Sequence, residues 1–221
     1  MILKNNMLVV IEGCRGVGKG TFTQALSSSL REDGYTVSTT TEPTKGMYGQ
    51  GAILRLSRGQ NDIETTMLFC LDRKQHIESI QSELPPRTII ICDRYSLSTM
   101  VYQPSEHKEL IMMIHDGIPK PDLTILIDSD HDTWLEGNME AFVTQKLYNR
   151  RSGDRSNLRN GDKNPEVYNA FRARYIEAVN SGIVGDHSII AGFQSSEDMV
   201  GSVLGTIISK HSEKFGRKWR T

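Results

Sequence analysis

Apolar positions fall in two kinds of run along this chain, and the alternation between them predicts its architecture. Residues 7–12 (MLVVIE), 88–92 (TIIIC), 123–127 (LTILI) and 188–191 (SIIA) are short and nearly continuous in apolar character, as strands covered on both faces are. Residues 35–41 (YTVSTTT) are rich in β-branched side chains and read as a further strand, ending at Glu42-Pro43. Helical spacing fills the intervals. Over 18–30, Phe22, Ala25, Leu26 and Leu30 share a face, and Gly34 suits the position after a helix end. A long helix is predicted over 62–84, stopped by Pro85-Pro86. Others are predicted over 96–102, 108–115, 133–149, 165–179 and 196–210. Residues 44–51 hold three glycines and read as a loop, followed by a short helix through Ile53, Leu54 and Leu56 that closes at Arg58-Gly59. Strands alternating with helices predict an α/β fold: a five-stranded parallel sheet flanked by helices on both faces.

The first strand runs directly into Gly13-Cys14-Arg15-Gly16-Val17-Gly18-Lys19-Gly20-Thr21. Strand, glycine-rich turn and helix in that order let successive backbone N–H groups wrap polyphosphate oxygens, with Lys19 as a mobile positive charge. The spacing Gly13-x4-Gly18-Lys19 satisfies the P-loop pattern, which in this alternating context predicts the three-layer P-loop NTPase fold. Gly20 stands where Ser or Thr is usual, and Thr21 is the nearest hydroxyl.

Composition narrows the setting. The 221 residues, 37% of them hydrophobic, read as one domain over 1–221. A formal charge of −1 argues against nucleic acid or membrane as a partner. Cys14, Cys70 and Cys92 lack metal-ligand spacing and read as reduced, packed thiols. No apolar run approaches the roughly 20 residues of a membrane span, and no signal-peptide core precedes the first strand, so a cytoplasmic location is expected.

In an open parallel sheet, ligands gather beyond the carboxyl ends of the strands. Residues 13–21, Glu42-Pro43, Asp93-Arg94 and Asp128 therefore converge. Asp93 closes an apolar strand, where a carboxylate holds Mg²⁺ directly or through water, or pairs with its neighbour Arg94 as a structural ion pair. The Arg94 guanidinium otherwise suits phosphate oxygens. On the long helix, Phe69, Arg73 and His76 fall at i, i+4 and i+7. That face can stack a base and bond its edge, or serve as core and solvated surface, with His76 structural. Residues 146–163 carry six Lys/Arg against two Asp. They read as a basic lid over a triphosphate, with Arg155 the first candidate to reach the transition state and Arg150, Arg151 and Arg159 behind it, or as a solvated loop. Residues 210–221 are basic and read as a frayed, solvated tail.

These motifs taken together resemble the thymidylate kinase family of nucleoside monophosphate kinases. The resemblance runs from about residue 7 to 180 and is carried by IEGCRGVGKGTFTQ at 11–24, TEP at 41–43, ETTMLFCLDRKQH at 64–76, DRYSLSTMVYQ at 93–103, PDLTILID at 121–128 and AFRARYIEAV at 170–179. It implies ATP as phosphate donor, Mg²⁺, a deoxynucleoside monophosphate acceptor, first of all dTMP, and a possible homodimer through sheet-covering helices. It implies that Lys19 holds the donor phosphates and that Arg94 grips the acceptor phosphate and bridges toward the γ-phosphate. Phe69 then stacks on the base, Arg73 donates to a base carbonyl, and Thr99 and Gln103 approach the base. Tyr102 lies under the deoxyribose, Pro43 shapes the pocket wall, and Arg55 stands near the acceptor phosphate. Two positions depart from the family. Arg15 replaces an Asp or Glu, and Gly20 removes a hydroxyl from the Mg²⁺ neighbourhood. Arg15 leaves open a modified or different pyrimidine nucleotide, such as a 5-substituted dUMP, or a nucleotide-binding regulatory protein without catalysis.

Overall fold

The computed structural model describes residues 3–138 and 164–216. Five strands, β1 (Met7–Glu12), β2 (Val37–Thr41), β3 (Ile89–Asp93), β4 (Leu123–Asp128) and β5 (His187–Ala191), form one sheet in the order β2-β3-β1-β4-β5. All pairings are parallel. The helices are α1 (Lys19–Glu32), α2 (Met47–Ser57), α3 (Ile63–Glu83), α4 (Ser96–Tyr102), α5 (Lys108–His115), α7 (Pro165–Asn180) and α8 (Ser196–Phe215), with α6 beginning at 131 and described to 138.

The central strand explains the layering. Side chains alternate across a strand, so Met7, Val9 and Ile11 enter one core with Phe22 and Leu26 of α1 and Val203 and Ile207 of α8. Leu8 and Val10 enter a second core on the opposite face, with Ile77 and Ile80 of α3. In β3 the same alternation sends Ile89 and Ile91 one way and Ile90 and Cys92 the other. Caps set the long helices: Asp62 accepts from the Thr65 N–H at 3.0 Å, Asn164 from Glu166 at 2.9 Å with Pro165 behind it, and Ser195 from Asp198 at 3.1 Å.

Two expectations need correction. Residues 44–51 are not all loop, because α2 begins at Met47 and contains Gly49 and Gly51. A Cβ on Gly49 would lie 2.3 Å from the Thr44 carbonyl oxygen and 2.9 Å from Asp72 Oδ1. That glycine serves close packing rather than flexibility. The C-terminal segment is also less frayed than its charge implied. Helix α8 continues to Phe215, Lys214 bonds both carboxylate oxygens of Asp122 at 2.6 and 2.8 Å, and Phe215 packs on the core. Among the described residues no helix is long and apolar enough to cross a membrane.

Candidate active site

Four loops meet at the carboxyl edge of the sheet, where the Glu42 N–H donates to the Asp93 carbonyl at 3.0 Å and the Arg94 N–H to the Ile11 carbonyl at 2.9 Å. The loop leaving β1 turns on Gly13, Gly16 and Gly18, all at positive φ. A Cβ at Gly13 would lie 2.4 Å from the Ile127 carbonyl oxygen, so the loop sits directly on β4. Lys19 is buried and donates to the carbonyls of Gly13 at 3.0 Å and Cys14 at 2.8 Å. Burial, then the Arg94 charge, lowers its pKa to about 7, against Asp93, Glu12 and Cys14. Gly20 and Thr21 are exposed at the start of α1, and nothing lies within 4 Å of a Cβ built at Gly20.

Arg94 has a φ of 74°, unusual for a non-glycine residue. Its Nη1 donates to Ser98 Oγ at 2.8 Å and Tyr175 OH at 3.2 Å, and the guanidinium lies 5.3 Å above the Tyr102 ring. Burial opposes that charge, but the Tyr175 and Tyr102 phenols, Glu12 and Asp93 hold its pKa above the usual value. Glu12, buried at the end of β1, organises the surroundings. It accepts from the Tyr95 N–H at 2.8 Å, the Ser98 N–H at 3.1 Å and Ser98 Oγ at 2.6 Å, capping α4 across 83 to 86 residues of sequence. Burial pushes its carboxyl pKa up, against the lowering by Ser98, Arg94 and Tyr95.

Asp93 Oδ1 is buried and has no hydrogen-bond partner among the described residues. A carboxylate oxygen left in that condition beside Lys19 and Arg94 fits Mg²⁺ or a water of its shell. Asp128, at the end of β4, is engaged instead by Arg172, which bonds both oxygens at 2.7 Å.

Helix α3 supplies Phe69 and Arg73. Phe69 is half-buried and belongs to neither core. Arg73 is almost wholly buried and donates to Glu42 Oε2 at 2.7 Å, His115 Nε2 at 2.7 Å, the Tyr95 carbonyl at 2.9 Å and Thr99 Oγ1 at 3.0 Å. Burial opposes its charge, yet Glu42, Tyr95 and Cys70 keep its pKa raised. Among the described residues four of its five guanidinium N–H groups are used, which leaves one donor on Nη1. Burial, then the Arg73 charge, lowers the His115 pKa to about 3, so the ring is neutral and free to accept. His76 bonds Glu42 Oε1 at 3.0 Å and Thr40 Oγ1 at 2.7 Å, fixing the carboxylate from behind. Gln103 is buried with Oε1 accepting from Thr66 Oγ1 at 2.9 Å. Pro43 follows a cis peptide at the end of β2.

Thus Lys19, Asp93, Arg94, Arg73, Thr99 and Tyr102 are brought to one edge. Arg55 is held at the start of α3, 2.7 Å from Asp62 and 2.5 Å from Glu64. Arg15 is half-buried with its carbonyl bonded by Trp134. Arg155, with the expected lid over 146–163, lies outside the described residues. Glu12, Ser98, Tyr175, His115, Trp134 and Asn138 were not anticipated. Glu12, Ser98 and Tyr175 lie within the segments that carry the family resemblance, but none of them carries a signal of its partners.

The family model described as thymidylate kinase matches residues 11–184. The chain is 35% identical over 148 residues to a thymidylate kinase from Desulforapulum autotrophicum, covering 62% of this chain and 65% of that one. It is 33% identical over 180 residues to one from Chlamydia felis, covering 73% and 87%. The match spans slightly less than two thirds of the Desulforapulum protein's length. A solved thymidylate kinase from Ehrlichia chaffeensis superposes with a TM-score of 0.63 at 21% identity, over 91% of this chain and 99% of that one. That likeness shows the fold.

Proposed function

The chain belongs to the thymidylate kinase family, and from that membership we propose that it transfers the γ-phosphate of ATP to dTMP, giving dTDP and ADP. The observation that carries the reading is the place of Arg94. It directly follows β3, its charge acts on Lys19 of the phosphate loop, and the carbonyl of its neighbour Tyr95 accepts from Arg73 of α3 at 2.9 Å. A guanidinium there touches both nucleotides at the point where their phosphates meet.

An acceptor phosphate oxygen attacks the γ-phosphorus in line. The new P–O bond forms as the bond to the β-phosphate oxygen breaks, and ADP leaves with the electron pair. This chemistry asks the protein for alignment and charge neutralisation rather than covalent help. Loop N–H groups and Lys19 hold the donor phosphates, and Arg94 draws the acceptor phosphate toward them. Phe69 stacks on the base, the remaining Arg73 N–H meets a base carbonyl, and Thr99 and Gln103 line the same wall with Pro43. Tyr102, backed by Phe171 at 4.8 Å, supports the deoxyribose. Arg55, paired here with Asp62 and Glu64, would add positive charge near the acceptor phosphate only on releasing them. Asp93, with its unpartnered Oδ1, would hold Mg²⁺, which would further neutralise the donor oxygens.

Coupled ADP release across dTMP, dUMP, dCMP, dGMP and 5-substituted dUMP tests the reading. The expected outcome is the highest kcat/KM for dTMP. Absence of ADP release with every acceptor refutes it, and preference for a 5-substituted analogue moves the substrate to the modified pyrimidine that Arg15 leaves open. The proposal extends to assembly and setting. Ile53 and Leu54 of α2 and Ile63, Met67 and Leu71 of α3 are 37–50% exposed, an apolar face suited to a second copy. Light scattering decides that point. Three buried free cysteines support a reducing cytoplasmic compartment.

A further inference from the structure

A trans peptide unit points its carbonyl and its N–H in opposite directions. The Arg15 carbonyl therefore shares a plane with the Gly16 N–H, and the Gly16 carbonyl with the Val17 N–H. Both carbonyls are bonded from one helix. The Trp134 indole N–H donates to the Arg15 oxygen at 2.6 Å, and Asn138 Nδ2 to the Gly16 oxygen at 3.1 Å. The same Asn138 nitrogen lies 2.7 Å from the Trp134 carbonyl, which ties the two residues together. The fit is close: a Cβ on Gly16 would lie 2.9 Å from Trp134 Nε1 and 3.1 Å from Asn138 Oδ1. Trp134 is 1% exposed and cannot swing away, because the rings of Tyr168 and His131 lie 5.0 and 5.6 Å from it.

We propose that Trp134 and Asn138 are positioning residues that hold two consecutive carbonyls of the phosphate loop outward and so aim the Gly16 and Val17 N–H groups at the donor polyphosphate. Neither residue touches the reacting atoms. Donors fixed before the ligand arrives spare the loop a reorganisation on binding. The proposal rests on the reading of residues 13–21 as the donor site.

Calorimetric titration of inorganic tripolyphosphate and of ATP into wild type, Trp134→Phe and Asn138→Ala tests it. Phenylalanine keeps an aromatic ring against Tyr168 and removes the N–H. Losing one hydrogen bond of ordinary strength predicts roughly fivefold weaker polyphosphate binding in each variant. KM for ATP rises correspondingly, while kcat and KM for the acceptor stay near wild type; Tm stays near wild type in Asn138→Ala and falls in Trp134→Phe, whose smaller ring leaves space in the core. Polyphosphate affinity within twofold of wild type in both folded variants overturns the proposal. Should Trp134→Phe not fold, Asn138→Ala on its half-buried position decides by the same threshold. A wild-type chain that binds tripolyphosphate without transferring phosphate refutes the kinase reading alone, and the variants still decide this one. A wild-type chain that binds no polyphosphate overturns both.

Discussion

The two sides of the proposed site, donor and acceptor, are built from different materials. The donor side is backbone: glycines at positive φ, outward carbonyls held by α6, and one lysine lying along its own loop. The acceptor side is side chain: Arg73, Glu42, His76, His115 and Thr99, each oriented by another. Polyphosphate is common to all nucleoside triphosphates, so a cradle of N–H groups suffices to hold it. A base must be told from similar bases, and that takes polar atoms whose directions are fixed. Substitutions on the two sides should therefore fail differently.

The largest effect is expected where the sides join. Arg94→Ala removes the group that both phosphates share, and turnover should fall by about 10³ or more. Tm should fall by a few degrees, because buried Glu12 loses its neighbouring positive charge while keeping Ser98 and Tyr175. Near-normal turnover in the ADP-release assay would remove Arg94 from the mechanism.

Next comes Glu42→Gln, which separates the sides. It leaves the Arg73 charge buried without its carboxylate, a loss of about 3–5 kcal/mol that should appear as a Tm drop of roughly 10 °C. Acceptor binding should weaken about tenfold as the guanidinium loses its aim, while tripolyphosphate binding holds. Equal losses on both sides would mean that the division between them is wrong.

Legibility follows the same division. The donor loop was readable because Gly13, Gly18 and Lys19 lie within seven consecutive residues, and their spacing alone states the chemistry. Asp93-Arg94 was readable because an apolar strand ends there. On the acceptor side, helical spacing gave Phe69 and Arg73 one face. It could not show that Glu42, Tyr95 and His115, from three other segments, occupy most of the guanidinium. Trp134 was invisible for a similar reason, since its partner carbonyl lies 119 positions upstream. The start of α2 was placed too late because Gly46, Gly49 and Gly51 count as breakers locally, whereas the space around Gly49 is set by Thr44 and Asp72.

The donor side also carries a proton linkage. With its pKa lowered to about 7, chiefly by burial, Lys19 is mostly neutral at pH 8. Polyphosphate favours the charged amine and raises that pKa, so binding at pH 8 should take up close to one proton. Affinity should fall as pH rises above 7, until the pKa of the bound state is passed. Calorimetry in buffers of different ionisation enthalpy measures the uptake. Lys19→Ala should abolish it, and uptake near zero in the wild type would mean that Lys19 is already charged.

The smallest effect concerns Gly20, where the loop departs from the usual hydroxyl. A serine Cβ meets nothing within 4 Å, and replacing a helical glycine gains about 0.5 kcal/mol. Gly20→Ser should therefore raise Tm by only a degree or two. If Mg²⁺ sits between this position and the unpartnered oxygen of Asp93, the added hydroxyl supplies one more oxygen ligand. Half-saturating Mg²⁺ for turnover should then fall roughly threefold, an effect of the size of one ordinary polar contact. Binding of dTMP should stay unchanged, because residue 20 belongs wholly to the donor side. An unchanged Mg²⁺ requirement with raised Tm would place the cation away from the start of α1, with Asp93 as its nearer anchor.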